Sequence, residues 1–130
     1  MKKKWGIMAI ACLLTASMAV AQGDATAWPQ LQTFHTYMST TFHPAEEGDF
    51  APLKARADSL LVAATLWQAS PIPANYKPAE TIAALGKLVK QCTEIMKAVG
   101  SNADNVILMK KITGAHDIFH TIVGECRKED

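Results

Sequence analysis

Apolar residues recur along this chain at steps of three and four, the spacing that places side chains on one face of a helix. Four such stripes are present, and their members are Leu31, His35, Met38 and Phe42; Leu53, Ala57, Leu60, Ala64 and Trp67; Ile82, Leu85, Val89, Cys92, Met96 and Val99; and Met109, Ile112, His116, Phe119, Val123 and Cys126. The sequence lacks the sustained alternation of apolar and polar residues that indicates strands. The pattern predicts an all-α protein, and the short connections favour an antiparallel up-down-up-down four-helix bundle.

Prolines, glycines and short polar residues set the expected helix ends. The first helix is expected to end at His43, because Pro44 disfavours a helical conformation in the residue before it. Asp49 is the expected N-cap of the second helix. The third helix is expected over residues 78–99, with Gly100 as a left-handed C-cap.

The first 21 residues have the three parts of a secretory signal peptide. Lysines at 2–4 precede an apolar run over residues 5–20, and the sequence AVA at 19–21 forms an A-x-A cleavage site. We therefore expect cleavage before Gln22 and an exported, periplasmic protein. The apolar run is too short for a comfortable membrane span, so we expect no membrane span after cleavage.

The mature domain is small and nearly neutral. Removing 21 residues from the 130-residue chain leaves 109 residues, which form one domain over residues 22–130. Three of the 13 basic residues are lost with the signal peptide, so 10 basic and 12 acidic residues remain, a net charge of −2. Because no basic stripe remains to attract a phosphate backbone, nucleic acid is not an expected partner.

Two cysteines, Cys92 and Cys126, remain in the mature chain, and an oxidising compartment favours disulfides. In the predicted bundle, however, they lie roughly 24 Å apart along the bundle axis. This separation is far beyond the roughly 7 Å limit between the Cα atoms of a bridge. We expect two free thiols, with Cys92 as a small core residue.

All four histidines lie on the first and last predicted helices, which are neighbours in an up-down-up-down bundle. In such a bundle the start of the first helix lies level with the end of the last helix. Counting residues inward from that end places His120 opposite residues 33–37 and His116 opposite residues 38–40. Four residues are therefore expected at the same height along the bundle axis, namely His35, Met38, His116 and His120.

This constellation favours a transition-metal site. Two histidines one turn apart present nitrogens to one ion, a third from the facing helix adds another, and the Met38 thioether or water supplies a fourth ligand. Copper, zinc and nickel suit imidazole ligands, and the thioether favours copper. Asp117 is expected either to bond to an imidazole or to lie in solvent. A hydrogen-bonded polar cluster is the alternative that needs no metal.

His43 is expected to lie apart from this site. It is eight residues from His35, about 12 Å along a regular helix, so the two cannot share an ion without help from the turn. Near the carboxylates of Glu46, Glu47 and Asp49 it is a candidate for a second, exposed site, and a capping or surface role is the alternative.

The segment HDIFH at 116–120 resembles the CHxxFR end of the c′-type cytochromes, which are four-helix bundles. In this resemblance His116 matches the axial haem ligand, Phe119 matches the aromatic residue, and His120 stands where arginine is usual. The segment GDFAPLKARADSLLVAA is similar to the second helix of that family, so the resemblance covers most of the mature chain. It also implies a homodimer formed through the first two helices.

This sequence departs from that family at the positions that attach haem covalently. Covalent attachment needs cysteines four residues and one residue before the histidine, and this chain has Ile112 and Ala115 there. Bundles of the b-type cytochrome kind hold haem through a methionine of the first helix and a histidine of the last, a pattern that Met38 and His116 fit. Haem would leave the other histidines as extra polar groups, so a bare ion explains more of the sequence.

The sequence thus predicts an exported metal-binding bundle for metal handling, sensing or electron transfer, with a redox or metal-donor protein as partner. Non-covalent haem binding for electron transfer or gas binding is the second hypothesis, and a structural bundle that has lost its cofactor is the third. The sequence offers no nucleophile with a recognisable base, no glycine-rich phosphate loop and no facing carboxylates. We therefore expect no enzymatic activity.

Overall fold

The computed structural model describes residues 27–129, and the predicted signal peptide lies outside them. The described chain forms four α-helices and one π-helix, which are α1 Pro29–Glu46, α2 Ala51–Ala69, α3 Pro78–Gly100, α4 Asn105–His120 and the π-helix Thr121–Glu125. The predicted all-α four-helix bundle is confirmed. Within the described range, none of the helices combines the length and the apolar character needed to cross a membrane.

Consecutive helices pack against each other, and α1 also contacts α4. Phe34 and His35 contact Phe119, whereas Phe42, later in α1, contacts His116, which lies earlier in α4. This order of contacts is consistent with antiparallel neighbours. The full up-down-up-down order of the four helices stays a prediction.

An aromatic layer fills the core where α1 begins. Trp28 packs edge-on against Trp67 and Tyr76, with ring centroids 5.5 and 4.9 Å apart. Phe34 and Phe119 also contact Trp67, at 5.4 and 5.9 Å between centroids. Trp67 is fully buried and contacts three other aromatic rings, so it is the centre of this layer.

Helix α1 continues for one turn beyond its predicted end. It includes Pro44 and ends at Glu46, so the prediction that it stops at His43 is wrong. Pro44 has no N–H to donate to the Thr40 carbonyl, but Thr40 is exposed and water is available to its backbone. The burial of Ala45 stabilises the extra turn and offsets the steric penalty before the proline.

The buried face of α3 is rotated relative to the predicted stripe. Leu85 and Cys92 are buried as predicted, but Ile82 and Met96 are 61% and 44% exposed. The residues that α3 buries are Thr81, Ala84, Leu85, Leu88, Cys92, Ile95 and Ala98. Both sets have helical spacing because apolar residues occur on several sides of α3, so spacing alone does not select the buried face.

Two predicted helix caps are displaced along the chain. Gly100 is the last residue of α3, and the left-handed conformation falls instead on Asn102, with φ of 57°. Asparagine is among the residues that tolerate this conformation. Phe50, and not Asp49, occupies the N-cap position of α2, although Asp49 Oδ1 accepts a hydrogen bond from Ala51 N–H at 3.1 Å.

The N-terminus of α4 is capped by Asp104, whose Oδ1 accepts a hydrogen bond from Ile107 N–H at 2.9 Å. We expect Asp104→Ala to lower the free energy of unfolding by about 1 kcal/mol, because a backbone donor loses its partner. Urea denaturation measures this loss. Asp104→Asn retains a capping oxygen and is the control, so equal losses in the two variants would contradict the capping role.

The chain leaves α4 through the π-helix and ends against the connection between α2 and α3. Lys77 N–H donates to the Cys126 carbonyl at 2.7 Å, and Lys128 N–H donates to the Asn75 carbonyl at 2.8 Å. Cys126 is buried as the fourth stripe predicts, although α4 itself ends at His120. These bonds attach the chain end to the body of the bundle.

Cys92 and Cys126 are free and buried, as expected. Burial raises the pKa of the Cys92 thiol to about 12, so this thiol stays protonated at neutral pH. We expect a thiol reagent to react slowly with the native mature protein and to detect two thiols after unfolding without reductant. Detection of none after unfolding would instead indicate a disulfide.

Candidate metal centre

A surface pocket of about 200 Å³ lies between α1 and α4, and all four histidines of the chain line it. The residues around it are His35, Met38, Ser39, Phe42, His43, His116, Phe119 and His120. The residues expected at one level of the bundle therefore lie at one pocket. His43 joins them, and this pocket is the candidate metal centre.

His116 and His120 form a hydrogen-bonded pair of imidazoles on α4. Their Nε2 atoms are 3.2 Å apart, and their ring planes meet at 77°. In the neutral pair, one Nε2–H donates to the lone pair of the other Nε2. Two nitrogens bound to one tetrahedral ion at about 2.0–2.1 Å lie roughly 3.3 Å from each other. The spacing of the pair therefore matches that of two ligands on one ion.

His116 is the half-buried member of this pair. Its ring stacks on Phe42, with centroids 3.9 Å apart and planes within 10°. Burial lowers the pKa of His116, and the charge of His120, when protonated, lowers it further. The negative charges of Asp117 and Glu46 act in the opposite direction and have smaller effects. His116 is therefore neutral at pH 7, and the neutral imidazole is the form that binds metal ions.

His35 brings an imidazole to the pocket from α1. Its ring stacks parallel to Phe119, with centroids 5.3 Å apart and planes within 6°. Both His35 and His120 are exposed, so the predicted place of His35 on the buried stripe of α1 is wrong. Stacking through a ring face leaves the nitrogens at the ring edge accessible to a ligand.

His43 lines the same pocket, contrary to the expectation that it lies apart from the other histidines. Its Nδ1 lies 3.1 Å from Oε1 of Glu46, and its ring meets Phe42 edge-on at 5.7 Å between centroids. The pocket extends along α1 for more than one turn, so histidines at two levels of this helix reach it.

Met38, Glu47 and Asp117 differ in their relation to the pocket. Met38 is buried and lines the pocket, so its thioether belongs to the inner wall. Glu47 is exposed, follows the end of α1 and does not line the pocket, and Glu46 is the carboxylate that contacts His43. Asp117 is exposed, and within residues 27–129 its carboxylate forms no hydrogen bond to an imidazole.

The donors surround the pocket without enclosing an ion in this conformation. Across the described part of the chain, no three His, Cys, Asp or Glu side chains lie close enough together to hold one. His35, His43 and His120 are exposed, so their rings can change rotamer at low cost. An ion on His116 would draw one or more of these exposed rings toward it.

Phe42 is the part of the site that the sequence interpretation assigned only to the core. Phe42 contacts His116, whereas residues 38–40 of α1 were expected opposite that histidine. The spacing of Phe42, one turn after Met38 on the same face, is the signal that could have identified it.

Comparison with known proteins leaves the cytochrome-like resemblance untested. No protein-family model matches the chain, and no curated protein or solved structure is significantly similar to it. The chemistry of the pocket is therefore the basis for assigning a function.

Proposed function

We propose that the protein is an exported bundle that binds one transition-metal ion at the pocket between α1 and α4. The observation that carries this proposal is the presence of all four histidines, from two helices distant in sequence, around one pocket of about 200 Å³. Packing of the bundle requires no polar ring at these positions. Shared ligation of an ion explains why histidine recurs at each of them.

The proposed ligands are His116 and His120, joined by His35 and by the thioether of Met38. The pair on α4 supplies two nitrogens at the spacing of metal ligands. Imidazoles suit copper, zinc and nickel, and a thioether beside them favours copper. Because two of the three imidazoles are exposed, an ion can enter and leave, which suits metal handling, sensing or electron transfer.

The cellular setting of this proposal comes from the sequence. The signal-peptide pattern of residues 1–21 supports export to the periplasm. An accessible ion there would be exchanged with a metal-donor protein or oxidised and reduced by a redox partner. We propose a binding role without catalysis. Homodimerisation through α1 and α2 rests only on the resemblance to c′-type cytochromes.

Haem fits this pocket less well than an ion does. A pocket of about 200 Å³ is smaller than the roughly 300 Å³ at which pockets for drug-sized ligands begin. The Nε2 atom of His116, which would bind the iron, is 3.2 Å from Nε2 of His120. Haem on His116 and Met38 would therefore require His120 to move and the pocket to widen.

Titration of the metal-free mature protein with Zn²⁺, Cu²⁺ and Ni²⁺ tests the proposal. We expect one ion per chain for at least one metal, with the NMR signals of His35, His116 and His120 shifted by binding. At about 100 times the Kd, the ion should raise the free energy of unfolding by about 2.7 kcal/mol. Failure to retain any of the three metals, with unmoved histidine signals, would contradict it.

Addition of haemin to the same protein tests the alternative. A Soret band that His116→Ala and Met38→Ala abolish would establish haem binding in place of the ion. An unchanged spectrum of free haemin would exclude it. A protein that binds neither haemin nor a metal would be a structural bundle without a cofactor.

A further inference from the structure

Glu46 and His43 form a pair at the rim of the pocket. Oε1 of Glu46 lies 3.1 Å from Nδ1 of His43, and the two side chains are 48% and 66% exposed. Both residues belong to the last turns of α1, and the His43 ring lines the pocket. A carboxylate thus contacts one nitrogen of a histidine that borders the candidate metal centre.

The carboxylate determines which nitrogen of His43 carries the proton. An ionised carboxylate only accepts hydrogen bonds, so Nδ1 must carry the hydrogen that is donated to Glu46 Oε1. In the neutral imidazole, Nε2 then has a free lone pair. Histidines that bind metals commonly make this contact, because it fixes the ring and makes the ligating nitrogen more basic.

Taking the proposed metal site as the premise, we propose that His43 is a further ligand of the ion and that Glu46 is its positioning residue. Phe42 connects His43 to the rest of the site. One face of Phe42 stacks on His116, and His43 meets the same ring edge-on. His43 and His116 also line the same pocket. His43 would supply the imidazole of α1 in place of His35, because the two residues lie about 12 Å apart along the helix.

The extra turn of α1 creates this pair. Because the helix continues through Pro44, Glu46 lies one turn after His43, where side chains three residues apart are neighbours. Glu47 has the same side chain and is also exposed, but it follows the helix end and makes no such contact. Glu47 is therefore a matched control one position away.

The test is a double-mutant cycle on Cu²⁺ binding by the mature protein, with Glu46→Ala, His43→Ala, the combined variant and Glu47→Ala. Affinity is measured by competition with a chelator, and the nitrogen splitting in the EPR spectrum counts the bound imidazoles. We expect Glu46→Ala to weaken binding on the order of 10-fold to 100-fold. His43→Ala should weaken binding at least as much and remove one nitrogen from the spectrum.

Coupling between the two residues is the decisive result. We expect Glu46→Ala to have no further effect in the His43→Ala background, because the residue it positions is gone. Glu47→Ala should bind like the wild type. Equal affinities of the wild type, Glu46→Ala and Glu47→Ala would overturn this inference, whereas a wild-type protein that binds no Cu²⁺ would overturn the proposed function with copper itself.

Thermal unfolding of the metal-free variants separates positioning from folding. Both side chains are largely exposed, so the unfolding midpoints of Glu46→Ala and His43→Ala should match that of the wild type. A loss of Cu²⁺ affinity that follows a loss of metal-free stability would contradict the positioning role of Glu46.

Discussion

Replacing both His116 and His120 with alanine should reduce the affinity for the bound metal by at least about 100-fold. Even the loss of a residue that only orients a metal ligand lowers the affinity by about 10-fold to 100-fold. Their Nε2 atoms are 3.2 Å apart, so they supply a pair of donors already at ligand spacing in the pocket. Each single replacement should cause only part of this loss, because His35 and Met38 remain to bind the ion together with the other imidazole of the pair. Competition titration of the metal-free variants with a chromophoric chelator measures the affinities.

Asp117→Asn is the matched control for the two histidine replacements. Asp117 lies between them in α4, is exposed and does not line the pocket, so its variant should keep nearly the wild-type affinity. His120 is also exposed, and His120→Ala should change the metal-free stability by less than about 0.5 kcal/mol. Wild-type affinity in both histidine variants would show that the ion binds elsewhere or not at all.

Replacing Trp67 with alanine should lower the free energy of unfolding by about 3–5 kcal/mol, the largest stability effect expected of a single substitution. The side chain is fully buried and contacts Trp28, Phe34 and Phe119, so its removal leaves a cavity at the centre of the aromatic layer. Against a total stability of roughly 5–15 kcal/mol, this loss brings the protein close to unfolding. Urea denaturation followed by far-UV circular dichroism measures it.

Two further substitutions show whether burial causes this effect. Leu66, the preceding residue, is 59% exposed, and Leu66→Ala should cost less than about 0.5 kcal/mol. Trp67 Nε1 is buried without a hydrogen-bond partner among residues 27–129. Trp67→Phe removes this unsatisfied donor and keeps an aromatic ring in the core, so it should cost less than Trp67→Ala. Equal losses for Trp67→Ala and Leu66→Ala would contradict the central place of Trp67.

The fold was predictable because each helix of a small bundle needs one apolar face. The five residues predicted on the buried face of α2 are all buried, and Trp67 among them is the centre of the core. In α3 the same reasoning failed for Ile82 and Met96, because apolar residues occur on several sides of the helix. Spacing predicts that a helix forms, but packing against neighbours selects which apolar residues are buried.

The composition of the site was predictable to the extent that it depends on neighbouring helices. The i, i+4 spacing of His116 and His120 and the contact between α1 and α4 brought four predicted residues to one pocket. The sequence placed His43 near Glu46 in a possible second site, and its position at the same pocket was not predicted. The contact between His43 and Glu46 depends on a helical turn that continues through Pro44. The exposure of His35 depends on ring orientation, which helical spacing does not specify.

The metal content of the untagged mature protein, purified from the periplasm and measured beside its visible absorption spectrum, tests the central claim most directly. We predict copper, zinc or nickel at about one ion per chain and no Soret band, as expected for one ion on imidazoles at the pocket of α1 and α4. Iron together with a Soret band would instead indicate haem bound by His116 and Met38. A folded protein that contains none of these metals and takes up none when they are supplied would contradict the claim.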